Sequence, residues 1–293
     1  MKKIILKILV ICACALITFT FVACSSVNLQ GNCWEDKETF SYTATSDGVG
    51  IGTLTIKSVR IPRNAEAVRV EGLDKSFSIS GGTKIETEYT GLDGKTMYSI
   101  GLLDASNKTP VASYRVEKDK DGNILNESKA VYSADGNKYV CKYSYKDESG
   151  KVSSGDFKQS GLFCDNATIY YLIRTYSHSS LAQSLNVPSF AEEKVVTLKV
   201  NSAAELKTTN VAIAVSEKTS TEEPVLSTKN SFDLVRVAIA LNSTPAGEPN
   251  YVDYTIENDN QSFGRASTPS TKIPFRIAEG DIVYILDSIT VSA

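Results

Sequence analysis

The single histidine, His178, is followed directly by Ser179 and Ser180, a base beside two hydroxyls that invites acyl-transfer chemistry. A serine nucleophile needs its base within hydrogen-bond reach and a third group to orient that base, and adjacency in sequence supplies neither. No Gly-x-Ser-x-Gly elbow occurs. His178 therefore reads as a surface residue at a helix exit, where the negative end of the dipole favours its cation. One imidazole also excludes a multi-histidine metal site. Gly48-Val49-Gly50-Ile51-Gly52 has the look of a phosphate-cradling loop, but such a loop must lead into a helix. Thr53-Leu54-Thr55-Ile56 follows and reads as a strand, so the glycines predict a hairpin or bulge. Asp119, Asp121 and Asn123 resemble half a calcium loop, yet Gly122 is displaced and Ala130 stands where a bidentate Glu is needed. A solvated turn is the expectation there, and no catalytic residue, metal ligand or cofactor is expected anywhere.

The residue with the clearest chemistry is Cys24. Lys2, Lys3 and Lys7 precede an apolar run, Ile8 to Val22, in the layout of an export signal. The run is short for a membrane span, which takes about 20 apolar residues. Phe21-Val22-Ala23-Cys24 resembles the lipobox of bacterial lipoproteins, although Phe21 replaces the usual Leu. That resemblance implies a diacylglyceryl group on the Cys24 sulfur and removal of residues 1–23. Stable anchoring takes about two acyl chains at about 0.8 kcal/mol per buried methylene, and a diacylglyceryl group supplies both. Residues 24–37 form a polar tether, and 38–293 form one β-rich exported domain. The expected location is the cell envelope outside the cytoplasm, on the outer leaflet of the cytoplasmic membrane or on an outer membrane.

Without the leader, 28 basic residues face 34 acidic ones, a formal charge of −6. No dense Lys/Arg block exists to neutralise phosphates, which argues against a nucleic-acid partner. The 42 % hydrophobic content is enough to bury a core. Cys33, Cys141 and Cys164 allow at most one internal disulfide in an exported chain.

From Glu38 onward apolar residues mostly alternate, the pattern of an antiparallel sheet. Leu54 and Ile56 share a face, and a phase slip to Val59 and Ile61 predicts a bulge near Lys57-Ser58. Asp93-Gly94, Asp121-Gly122 and Asp135-Gly136 predict tight turns. Tyr139, Cys141, Tyr143 and Tyr145 form an aromatic strand face. Around Asp165 the period changes: Ile169, Leu172, Ile173 and Tyr176 make a helical stripe over 166–176, with Asp165 capping its start. Ser177 to Pro188 reads as a linker, after which strands resume at Val196–Val200, Val211–Val215, Val235–Leu241, Tyr251–Glu257, Lys272–Ala278 and Ile282–Val291.

In order, Glu38–Ile56, Asp165–Tyr176, Phe232–Leu241 and Thr271–Ile289 resemble segments of an exported bacterial family known as domain of unknown function 3108. That resemblance implies a curved antiparallel sheet, a half-barrel similar to periplasmic lipoprotein carriers, packed on one principal helix. The Tyr139, Tyr143 and Tyr145 face and the helix residues Ile169, Leu172, Ile173, Arg174 and Tyr176 are candidates to line a ligand groove, or else to fill an ordinary core. The expected partners are the membrane through Cys24, an apolar or lipid-like ligand, or another envelope protein.

Overall fold

The computed structural model describes residues 37–63, 67–105, 109–161, 163–169, 183–200, 204–209, 213–218, 225–229, 232–241, 250–255 and 273–292. The leader, Cys24, Cys33, the tether to residue 36, His178 and 170–176 of the expected helix lie outside the described residues. Residues 166–168 form a turn and Ile169 has helical backbone. A principal helix under the sheet is thus not among the described elements.

The strands are β1 (Lys37–Ser46), β2 (Val49–Ile61), β3 (Val68–Arg69), β4 (Ser76–Phe77), β5 (Gly82–Gly91), β6 (Thr96–Asp104), β7 (Pro110–Lys118), β8 (Ile124–Asp135), β9 (Lys138–Lys146) and β10 (Val152–Gln159). They continue as β11 (Gln183–Ser189), β12 (Lys194–Val200), β13 (Ala204–Thr209), β14 (Ile213–Lys218), β15 (Val225–Lys229), β16 (Phe232–Leu241), β17 (Asn250–Thr255), β18 (Pro274–Glu279) and β19 (Ile282–Ser292). Antiparallel pairing runs from β10 through β9, β8, β7, β6, β5, β2, β1, β19, β18, β17, β16 and β12 to β11. β13 shares an edge of β16 with β12. β14 joins the far end of β19 in parallel and carries β15. Phe163, shortly after β10, bridges Asn186 of β11, which brings the two ends of the run together. The sheet is therefore barrel-like and goes further round than the half-barrel expected.

The turns do the closing work locally. Gly94, Gly122 and Gly136 all have positive φ, as the Asp-Gly steps predicted, and each connects paired strands. The Asp119 and Asp147 carboxylates accept backbone N–H groups within their own turns. The Asn123 side-chain amide, which donates to Asp119 Oδ2 at 2.9 Å, lowers the Asp119 carboxyl most, and the backbone bonds add to it, as suits a solvated turn.

Two expectations need correction. No register shift occurs at Lys57-Ser58; β2 pairs continuously there with β1 and β5. The change of phase arises because β2 is buried on both faces in turn. Leu54 and Ile56 join the interior core, whereas Ile61 packs outside the barrel with Val70, Leu73, Phe77, Ile100, Leu102 and Ala112 beneath the segment carrying β3 and β4. Ser58 stays inward and donates to the buried Glu38 carboxylate at 3.0 Å. The expected linker also contains a strand, β11, in which Leu185 and Val187 alternate inward. Pro188 is tolerated because Asn186, two residues earlier, turns its carbonyl away from β12 to the Cys164 N–H, so the N–H missing at Pro188 likewise lies off the β12 ladder.

The main core fills the barrel with Phe40, Tyr42, Leu54, Ile85, Leu198, Val252, Phe275 and Ile277 among others. Each such side chain contributes roughly 1.5–3 kcal/mol on burial.

Candidate functional site

The interior is not filled throughout. A cavity of about 380 Å³ lies within the barrel, inside the roughly 300–1,000 Å³ span of small-molecule sites. One wall is apolar: Leu54 of β2, Leu198 of β12, Ile239 of β16, Val252 of β17, Ile277 of β18 and Tyr284 of β19. The facing wall comes from β5 to β7 and is polar. Thr87, Ser99 and Arg115 are direct cross-strand neighbours, as are Tyr89, Met97 and Glu117 in the next row. Alternation along each strand aims both rows inward, because Tyr98, Ile100, Ala112 and Tyr114 occupy the outer cluster.

The floor is made by the segment after β10. Asp165, buried, accepts from Ser113 Oγ at 2.7 Å and from the Tyr132 hydroxyl through one oxygen. Its other oxygen accepts from the Ala167 N–H at 2.8 Å, within the turn at 166–168. The segment packs on Gly101 of β6, where an added Cβ would overlap Thr168 Cγ2 and stand 3.3 Å from Ala167 Cβ. Asn166 and Ile169 then reach the cavity lining. Burial, followed by the Asp165 charge, pushes the Tyr132 hydroxyl well above its ordinary value. Burial likewise pushes the Cys141 thiol up to about 12, against a lowering hydrogen bond with Tyr132 and with a further rise from Asp165. Cys141 and Cys164 are free, buried thiols, so they are poor nucleophiles.

Lys95, Lys118, Leu125, Asn250 and Glu279 stand at strand ends that share one end of the barrel, and they form the mouth. Val49, Leu92 and Val152, 66 %, 80 % and 61 % exposed, lie at that same end. Tyr89 and Tyr284 meet edge to face at 6.4 Å inside it. Both phenols titrate above the ordinary value, chiefly through burial, so they stay protonated donors.

Arg115 is the cation of the polar wall. Its Nε donates to Glu117 Oε1 at 3.2 Å, and its Nη2 donates to the same oxygen. Glu117 Oε2 accepts from Asn126 Nδ2 at 2.7 Å. Burial raises the Glu117 carboxyl, but Arg115 and Asn126 outweigh it and hold the group below its usual value.

Of the residues singled out in the sequence, Ile169 lines the cavity. Tyr139, Tyr143 and Tyr145 also face inward, but they belong to a neighbouring cluster with Tyr132, Phe157, Phe163 and Phe190. There the Tyr143 ring stacks on Phe157 at 4.8 Å and on Phe190 at 5.0 Å. Leu172, Ile173, Arg174 and Tyr176 lie outside the described residues. Sequence reasoning missed Thr87, Ser99 and Arg115. Their signal was present as polar residues at inward positions of strands with apolar neighbours, and it becomes visible once strand register is known.

No protein-family model and no curated protein matches the chain. Among solved structures, the chain is similar to a crystal structure described as a beta-barrel-like protein of domain of unknown function DUF1849 from Brucella abortus. The two are 14 % identical, with 87 % of this chain and 97 % of that chain covered and a TM-score of 0.46. That domain of unknown function differs from the one the four sequence segments resemble.

Proposed function

We propose that this chain is an exported lipoprotein held on a membrane through acylated Cys24, and that its barrel binds or carries an apolar or lipid-like ligand without catalysing a reaction on it. The observation that supports a ligand is the cavity of about 380 Å³ with a continuous apolar wall drawn from six strands. The anchor rests on the leader and on Ala23-Cys24, and it places the body in the cell envelope outside the cytoplasm. Cys24→Ala is expected to abolish incorporation of labelled fatty acid and to leave the precursor uncleaved. Unchanged labelling would remove the anchor from this reading.

The ligand is tested by native mass spectrometry of the full chain recovered from its host envelope. The expected result is a lipid-sized mass bound to the wild type and absent from Met97→Trp, whose indole fills the cavity that Met97 lines. Recovery of ligand-free wild type, or retention of the mass by the Trp variant, would overturn it. A second reading, an envelope interaction module, is favoured by the exposed apolar tips Val49, Leu92 and Val152. Ligand-free protein that crosslinks from position Leu92 to one envelope protein would turn the assignment to that reading.

A further inference from the structure

The chain as a whole is acidic, with a formal charge of −3, yet the charged side chains lining its cavity are Lys95, Arg115 and Lys118 against Glu117 and Glu279. Three cations against two carboxylates leave that lining with a slight excess of positive charge, carried at the mouth, while inside it Arg115 and Glu117 balance. Arg115 is the deepest of the cations, on an inward position of β7 whose register neighbour on β6 is Ser99. Burial chiefly raises the phenols of Tyr284 on β19 and Tyr145 on β9, and the Arg115 charge opposes that rise at both.

The Arg115–Glu117 pair is also uneven. Both Glu117 oxygens are engaged, one by Arg115 and the other by Asn126. Arg115, by contrast, directs Nε and Nη2 at one carboxylate oxygen, and among the described residues no hydrogen bond engages its Nη1. The carboxylate is satisfied and the guanidinium has donors left, beside the Thr87 and Ser99 hydroxyls in the same cross-strand row. Both hydroxyl residues are buried and line the cavity. The same cavity is lined by Leu54, Leu198, Ile239, Val252, Ile277 and the Tyr284 ring.

Resting on the ligand-binding reading above, we propose that the cavity takes an amphipathic anion. Its carboxylate or phosphate head is held by Arg115 with the hydroxyls of Thr87 and Ser99, and its hydrocarbon chain lies against Leu54, Leu198, Ile239, Val252 and Ile277. A charge-assisted bond to a fork of N–H donors gives the head its orientation. The apolar wall supplies area for the chain.

The test is isothermal titration calorimetry of the full chain with dodecanoate, dodecyl phosphate and dodecanol, each below its micelle concentration. The anions are expected to bind at least about tenfold more tightly than the alcohol, which corresponds to about 1.4 kcal/mol. Arg115→Met should remove that preference while leaving dodecanol affinity unchanged. Glu117→Gln, which removes the competing carboxylate, should tighten anion binding, an effect that a structural ion pair alone would not produce. Whichever of carboxylate and phosphate binds more tightly identifies the head. If Arg115→Met does not fold, Ser99→Ala with Thr87→Val provides the same loss of anion preference. Equal affinity for alcohol and anions, or no tightening in Glu117→Gln, would overturn the headgroup assignment and leave the cavity reading intact. Binding of none of the probes would overturn the cavity reading itself.

Discussion

Asp165→Ala should lower the unfolding free energy by about 3 kcal/mol or more, seen as a fall in the urea midpoint with the slope retained. The carboxylate is buried and accepts from the Ser113 hydroxyl, the Tyr132 hydroxyl and the Ala167 N–H. Alanine leaves all of these donors inside the barrel without an acceptor, and each buried unsatisfied group costs about 1–3 kcal/mol. Asp165→Asn should cost less than alanine but should not be silent. With its oxygen kept on the Ala167 N–H, the amide NH2 donates to hydroxyls that then lose their buried acceptor, and turned over it faces the Ala167 N–H, which cannot accept. Tyr132→Phe removes one donor together with its need and should cost only about 1 kcal/mol. Variants of Asp165 that unfold within 1 kcal/mol of wild type would show that the floor is held by apolar packing alone.

The strands were legible because their signal is local. The Asp-Gly steps at Gly94, Gly122 and Gly136 require positive φ, and the structure has it at each. The alternation of Tyr139, Cys141, Tyr143 and Tyr145 put those residues on one face, which is where they are found. What could not be read was which face a given residue turns to the interior when both faces are buried. Ile61 looked like a slip in phase because it answers to a second cluster outside the barrel, where Val70, Leu73 and Phe77, from a segment with no clear alternation, cover Ile100, Leu102 and Ala112. β11 was hidden by Pro188, a residue that argues against a strand until its nitrogen is known to lie off the β12 ladder.

The site was less legible than the fold for a related reason. Thr87, Ser99 and Arg115 are far apart in sequence and ordinary in type, and only the register of β5 on β6 and β6 on β7 sets them side by side. Asp165, in contrast, could be picked out in advance as a residue that accepts a nearby N–H. That bond is to Ala167, two residues on, but its second oxygen binds Ser113 and Tyr132, which no local pattern indicated. One carboxylate thereby ties the turn at 166–168 to two barrel strands, and its neighbours Asn166 and Ile169 line the cavity. Stability of the floor and shape of the site are consequently the same problem.

Gly101→Val separates them. Gly101 lies on the inner face of β6, and any side chain there meets Thr168, which is itself buried. Overfilling a packed interior costs about 1–3 kcal/mol, and valine, which extends beyond Cβ, belongs at the upper end of that range. β-branched residues otherwise suit strands, so local propensity alone would forecast a gain. The observed sign therefore decides whether the floor presses on β6. Gly101→Ala should be milder, and Thr168→Ser should recover most of its loss: it removes the Cγ2 that the new methyl would strike and retains the hydroxyl that donates to the Asp165 carbonyl at 3.0 Å. Recovery in the double variant, with no gain from Thr168→Ser alone, would assign the cost to that contact. Because Asn166 and Ile169 move with Thr168, Gly101→Val should also weaken dodecanoate and dodecanol binding alike. Arg115→Met is expected to affect the anion only, so the two variants distinguish a displaced floor from a lost headgroup contact.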